Sequence, residues 1–127
     1  MPRTVIATSN APKAIGTYSQ AVKCGNTVYV SGQIPLDPAS GELVQGPMDA
    51  QVRRVFENLR AIVGAAGGSF SQAVKVTVYL IDFADFAALN KVMAEYFSEP
   101  YPARVTVQVA GLPKGARVEI DCVLELE

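Results

Sequence analysis

The stretch Tyr101-Pro-Ala-Arg-Val-Thr-Val-Gln-Val-Ala-Gly-Leu-Pro-Lys-Gly-Ala-Arg-Val-Glu-Ile-Asp-Cys-Val-Leu-Glu125 decides how the chain is read. Apolar and polar residues alternate on either side of a Gly/Pro turn, the pattern of two adjacent strands in a hairpin. In the first strand Ala103, Val105, Val107 and Val109 share one face, and Arg104, Thr106 and Gln108 the other. In the second, Val118, Ile120, Cys122 and Leu124 share a face, and Glu119, Asp121, Val123 and Glu125 oppose them. With both apolar faces turned to the core, Arg104 and Glu119 are expected together on the opposite face of the sheet. One cation and one carboxylate there make either a salt bridge or a site.

Working upstream, Glu99-Pro100-Tyr101-Pro102 ends a helix expected over Phe83–Phe97, with Asp82 as its N-cap. Phe86, Leu89, Met93, Tyr96 and Phe97 form its expected buried side, and Asn90 lies at the edge of that face. Before it, Ala73–Ile81 reads as a strand, with Val74, Val76, Val78 and Leu80 alternating against Lys75, Thr77 and Tyr79. Pro47–Ala66 carries the strongest helical pattern. Met48, Val52, Val55, Phe56, Leu59, Ile62, Val63 and Ala66 recur at three- and four-residue spacing. Pro47 suits the first helical position and Gly67-Gly68 the stop. Arg53, Arg54, Glu57 and Arg60 make a solvated face. Gln20–Cys24 and Thr27–Ser31 flank Gly25-Asn26, a type II′ hairpin signal. Gly32-Gln33-Ile34-Pro35 is expected to leave the sheet, and Asp37-Pro38-Ala39-Ser40-Gly41 to turn. Thr4–Ala7 reads as a first strand, and Thr8–Tyr18 as a loop ending in a tyrosine that either packs as a lid or reaches a ligand.

The order β, β-hairpin, α, β, α, β-hairpin predicts a two-layer α+β sandwich. It has a mixed sheet of about six strands and two helices on one face. The uncovered face draws on Thr27, Tyr29, Ser31, Lys75, Thr77, Tyr79, Arg104, Thr106, Gln108, Glu119, Asp121 and Val123. Hydroxyls and aromatics there suit an interface between copies of the chain, so a homo-oligomer is expected.

Composition narrows the chemistry. A chain of 127 residues, half hydrophobic and 18% charged, is one ordinary globular domain. Its net charge of −1 argues against a nucleic-acid binder. There is no membrane-spanning run and no signal-peptide apolar region, so a soluble cytoplasmic protein is expected. Cys24 and Cys122 read as small core residues. The chain has no histidine, which removes His-dependent triads and nearly all zinc and non-haem iron sites. No metal or cofactor is expected, and chemistry must come from carboxylate, tyrosine, arginine, backbone and water. Arg104 can hold a carboxylate through two parallel hydrogen bonds or pair with Glu119. Glu119, and with less reason Asp121, can handle a proton or water, or be a charge at a strand edge. Tyr18, Ser31, Asn90 and Thr106 are supporting candidates.

Taken together, several motifs resemble the RidA-like reactive intermediate deaminases. These are Asn10-Ala11-Pro12-x-Ala14-Ile15-Gly16-x-Tyr18-x-Gln20-Ala21, Ser31-Gly32-Gln33-Ile34-Pro35, Asn58-Leu59, Val76-Thr77-Val78-Tyr79-Leu80-x-Asp82, Pro102-Ala103-Arg104, Leu112-Pro113 and Val118-Glu119-Ile120. The resemblance spans nearly the whole chain. It implies a chorismate-mutase-like fold and a homotrimer with three clefts between subunits. It implies hydrolysis of 2-imino acids or their enamine tautomers, such as 2-iminobutanoate and 2-iminopropanoate, to 2-keto acids and ammonium. By the same resemblance Arg104 grips the substrate carboxylate and Glu119 positions or activates water. Tyr18, Ser31, Gly32 and Asn90 line the cleft, with backbone around Thr106 bonding the ligand.

The chain departs from the family in three places: Thr106 stands where Cys is frequent, Thr17 where Pro is frequent, and Gly111 where a larger residue is common. Two other readings share these residues: a non-catalytic trimer that binds 2-keto acids, and an endoribonuclease or translation inhibitor. Absent histidine and absent basic charge weigh against the second.

Overall fold

The computed structural model describes residues 2–127. Its elements are β1 (Arg3–Ile6), β2 (Ala21–Cys24), β3 (Thr27–Gln33), α1 (Met48–Ala65), β4 (Ala73–Leu80), α2 (Phe86–Tyr96), β5 (Ala103–Gln108) and β6 (Val118–Glu125). Six strands form one sheet in the order β1-β2-β3-β6-β4-β5, antiparallel except for the parallel pair β4–β5. Both helices cover one face. This is the two-layer α+β architecture predicted.

α1 forms as its spacing requires. Val52, Val55, Phe56, Leu59, Ile62 and Val63 are all buried against the sheet, and each such side chain contributes about 1.5–3 kcal/mol through burial. Pro47 sits one position earlier than expected, as the N-cap with extended backbone. The stop is a Schellman motif, in which Gly67 N–H donates to the Gly64 carbonyl and Gly68 N–H to that of Val63. The charged face is less solvated than expected. Arg53 pairs with Glu95, and Glu57 accepts from the Tyr96 hydroxyl, so the two helices are cross-linked.

The hairpin at Gly25-Asn26 is present, with Cys24 opposite Thr27 and Gly25 at φ +62°. β3 does not stop at Ser31, however. It runs through a bulge to Gln33, which pairs with Ile120. Cys24 is exposed rather than in the core, because its register opposite Arg3 and Thr27 puts it on the open face. Val74 is also exposed, since a bulge between Ala73 and Lys75 breaks the alternation. The segment after Asp82 starts as a 3-10 turn at Phe83–Asp85 before α2 begins. That shift leaves Phe86 at 36% exposure and buries Val92 in its place.

The largest correction concerns the opening stretch. β5 and β6 are not a hairpin, because β4 lies between them. The link 109–117 arches over the end of β4. Val109 N–H donates to the Leu80 carbonyl, and Ile81 N–H to that of Arg117. β6 takes the central place because Val118, Ile120, Cys122 and Leu124 fill the core. β5 is left at the edge. Its register sets Arg104 beside Val76, Thr106 beside Val78 and Gln108 beside Leu80, all three partners being core residues. Arg104, Thr106 and Gln108 therefore face the helices, and Val105 (41% exposed) and Val107 face the open side.

One buried polar residue holds the loop after β3. Asn58, fully buried on α1, donates its amide to the Leu36 and Ile34 carbonyls and accepts from the Arg54 guanidinium. Replacing Asn58 with Ala strands the Leu36 carbonyl, while that of Ile34 keeps the Leu36 N–H. Urea unfolding should show a loss of about 1–3 kcal/mol, the cost of stranding a buried hydrogen-bonding group.

Candidate active site

The predicted site residues fall into two groups on opposite faces of the sheet. Arg104 and Asn90 form one. The Arg104 guanidinium donates to Asn90 Oδ1 at 2.6 Å, approaches Met93 Sδ at 3.7 Å, and lies 5.4 Å from the centre of the Phe86 ring. Cation–π contact and one hydrogen bond hold it in place, and it has no carboxylate partner among the described residues. Asn90, Met93, Tyr101, Pro102 and Arg104 line a cavity of about 350 Å³.

Strand geometry adds backbone groups to this half. Parallel strands alternate which residues address the neighbour. Because Val109 N–H bonds to β4, Val107 and Val105 do so too, and the N–H and C=O of Arg104 and Thr106 point outward from the free edge. Thr106 Oγ1 is buried without a hydrogen-bond partner.

Glu119 belongs to the other group. It pairs in register with Tyr79 on the open face. With Tyr18, Ser31 and Gly32 it lines a second cavity, of about 440 Å³. Ser31 is fixed by donating its hydroxyl to the Ser19 carbonyl at 2.6 Å. Tyr18 is half exposed, and its hydroxyl accepts from the Ile15 N–H. Gly32 leaves room for the carboxylate where it stands: a Cβ there would meet Glu119 Oε2 and force that side chain to move. Burial pushes the Glu119 carboxyl above its usual range, and the nearby Asp121 charge adds to the effect. Asp121 is also raised by burial, partly offset by the Tyr79 hydroxyl that donates to it.

Within one chain these halves do not meet. Arg104 and Glu119 stand on strands separated by β4, about 10 Å apart laterally, with side chains on opposite faces. The intramolecular salt bridge considered from the sequence is therefore absent. The sequence reading also missed Phe86, taken for core, and Lys114, which shares the cavity of Glu119. A Phe four residues before Asn90 was the available signal for the first.

The chain is a two-layer α+β protein in which Arg104 lines one cavity and Glu119 another. The family described as Endoribonuclease L-PSP matches residues 8–126, and the chain belongs to this RidA-like family. It is 54% identical to a RutC family protein of Pyrococcus horikoshii, over 95% of this chain and 96% of the relative. It is 48% identical to the 2-iminobutanoate/2-iminopropanoate deaminase of Homo sapiens, over 95% of this chain and 88% of the relative. The crystal structure of RidA from the Antarctic bacterium Psychrobacter superposes with a TM-score of 0.93 at 56% identity, covering 97% of this chain and 99% of that one.

The raised Glu119 carboxyl has a sign that can be tested. A folded-state value above the unfolded one leaves the native state least favoured once Glu119 ionises, so stability falls as pH rises through the folded value. Glu119→Gln should raise the thermal midpoint near neutral pH. At about pH 3 or below, where the carboxyl is protonated in both states, it should leave the midpoint unchanged.

Proposed function

We propose that the protein hydrolyses 2-imino acids such as 2-iminobutanoate and 2-iminopropanoate to 2-keto acids and ammonium. It does so as a homotrimer whose clefts join the Glu119 half of one subunit to the Arg104 half of the next. The observation that carries this reading is the placement of Arg104 and Glu119 on opposite faces of one sheet. Each half-site is open and incomplete, and two copies of the chain supply both. The deaminase relative at 48% identity supports the reaction assigned. No helix among the described residues is long and apolar enough to cross a membrane, and the exposed free thiol of Cys24 suits a reducing compartment. We place the protein in the cytoplasm.

Each residue then has a physical task. Arg104, already oriented by Phe86 and Asn90, has guanidinium N–H groups left to bind the substrate carboxylate bidentately. Outward backbone groups of Arg104 and Thr106 bond the same end of the ligand. The substrate's C2 is thereby set against Glu119. A protonated imine is electrophilic without metal or cofactor, and orientation supplies much of the barrier reduction. Glu119 accepts a proton from water as its oxygen bonds to C2. The proton passes to nitrogen, and as the C–N bond breaks Glu119 takes the remaining hydroxyl proton, the C2 carbonyl forms, and the departing ammonia accepts that proton to leave as ammonium. Ser31 and Tyr18 line the wall on which the reacting carbon rests. Neighbouring copies packed on the open face cover Tyr29, Val105 and Val107, which a lone chain exposes.

The family name Endoribonuclease L-PSP makes phosphodiester cleavage the rival reaction. The net charge of −1 and the absence of histidine disfavour it. A silent 2-keto-acid-binding trimer would retain Arg104 but show no imine turnover.

Arg104→Ala should abolish hydrolysis of 2-iminobutanoate in a coupled dehydratase assay without changing the oligomeric state. Glu119→Gln should still bind 2-oxobutanoate and turn over slowly. Co-refolding the two variants in equal amounts should restore about a quarter of wild-type activity, because random assembly gives that share of clefts both groups intact. Activity restored to neither parent nor mixture would exclude the shared cleft.

A further inference from the structure

Lys114 has backbone dihedrals of φ 59° and ψ 18°, and it is the one non-glycine residue at positive φ among those described. This left-handed conformation is costly for a residue with a Cβ, and it persists only where surrounding structure enforces it. Enforcement comes from a tight turn in which Gly115 N–H bonds to the Leu112 carbonyl and Ala116 N–H to that of Pro113. The turn sits on the wall of the 440 Å³ cavity that holds Glu119. Across the same cavity stands Lys13, from the N-terminal loop.

Charge accounting leaves seven basic side chains in no ion pair among the described residues, and Lys13 and Lys114 are the two of them that line the Glu119 cavity. Of the chain's 11 basic side chains, Arg53, Arg60, Lys91 and Arg117 are in ion pairs. Lys13 and Lys114 are in none, although the protein as a whole carries a net charge of −1. Their cavity contains a single acid, Glu119, and much of its remaining wall is apolar, including Ile15, Ile34 and Leu36. Apolar walls focus the field of unpaired charges at a cleft mouth.

The geometry points to Lys13 and Lys114 as an electrostatic capture pair that draws small carboxylate-bearing ligands into the Glu119 cavity. The ligand's identity as a 2-imino acid rests on the deaminase reading; the capture of a small organic anion does not. A reactive imine decays spontaneously in water, so the rate of capture governs how much of it the protein intercepts. Two ammonium groups on flexible stems lining the cavity increase encounter without fixing a geometry, and the bidentate grip remains with Arg104. The strained Lys114 backbone sets that residue on the cavity wall at a cost in stability, as is common at functional sites.

The test compares wild type with Lys13→Gln, Lys114→Gln, their double variant and Lys114→Gly. Values of kcat/KM for 2-iminobutanoate are measured from about 10 to 300 mM ionic strength, a range over which screening lengths shrink from about 30 Å to less than 10 Å. Wild-type kcat/KM should fall as salt rises. At low salt the double variant should lose about ten-fold in kcat/KM, chiefly through KM, and its salt dependence should flatten. Lys114→Gly should lose capture as Lys114→Gln does, yet melt at a higher temperature than wild type, which separates the role of the charge from any damage to the fold. A double variant within about two-fold of wild type at low salt, or with the same salt slope, overturns the proposal. The association rate of 2-oxobutanoate, followed by NMR line shape over the same salt series, reads the capture pair independently. Salt-dependent association with no imine turnover in any variant would remove the deaminase reading and leave the capture pair standing.

Discussion

The pairing of β4 with both β5 and β6 is the constraint on which the site depends. β4 binds β6 antiparallel, with Tyr79 opposite Glu119, and β5 parallel, with Val76 beside Arg104. Since side chains alternate along β4, Val76 and Tyr79 point to opposite faces, and their neighbours follow them. A one-residue slip of β5 would bring Arg104 to the open face and send its valines into the helix layer. The register is held from two directions. Val109 bonds to the Leu80 carbonyl beyond the end of β4, and Gln108 Oε1 accepts the Phe83 N–H ahead of α2. Arg104, between Asn90 and Phe86, is fixed by the same α2 that packs Leu89, Val92 and Met93 into the core.

The two half-sites are built with different physics. The Arg104 half rests on an exposed guanidinium held by an aromatic ring, an amide and a free strand edge, so its charge costs little desolvation. The Glu119 half spends stability. Its carboxylate is partly withdrawn from water, close to a second acid, above a glycine that leaves no room for a side chain. Asn58 stabilises this half indirectly by bonding the carbonyls of Ile34 and Leu36, the segment that forms the cavity wall. A deeply buried amide on α1 thus reaches the site through backbone and not through contact.

How much of this was legible in the sequence depends on what each pattern encodes. α1 was readable almost to the residue because eight apolar side chains repeat at helical spacing over one long element. β6 was readable because Val118, Ile120, Cys122 and Leu124 alternate along its whole length with no bulge. β5 alternates equally well, yet alternation reveals only which residues share a face and not which face is buried; that is decided by the neighbour, and the assumed hairpin partner was wrong. Residues 109–117 were the available warning, since a link of that length with its own Pro-Lys-Gly turn is longer than a tight hairpin requires. The motifs pointed to Arg104, Glu119, Gly32 and Asn90 as a set, but motif order along a chain carries no information on the sheet face each residue occupies. Phe86 was misplaced because α2 begins at that residue, so it stands at the end of the helix, where the buried stripe of Leu89, Val92 and Met93 has not yet begun.

The misassigned face changes the meaning of the open surface. Had Arg104, Thr106 and Gln108 lain there, it would have been a polar sheet with a site upon it. It instead carries Val5, Tyr29, Val105 and Val107 in the open, with Val22 and Val123 between them in register. That is more apolar surface than a solitary sheet usually leaves to water. In the proposed trimer, covering these valines and completing the cleft are one event, because β5 bears Val105 on the open face and Arg104 on the other. Apolar burial then supplies the free energy that holds a guanidinium on one subunit close to a half-buried carboxylate on another. The strand whose alternation did not reveal its buried face is the one that links assembly to chemistry.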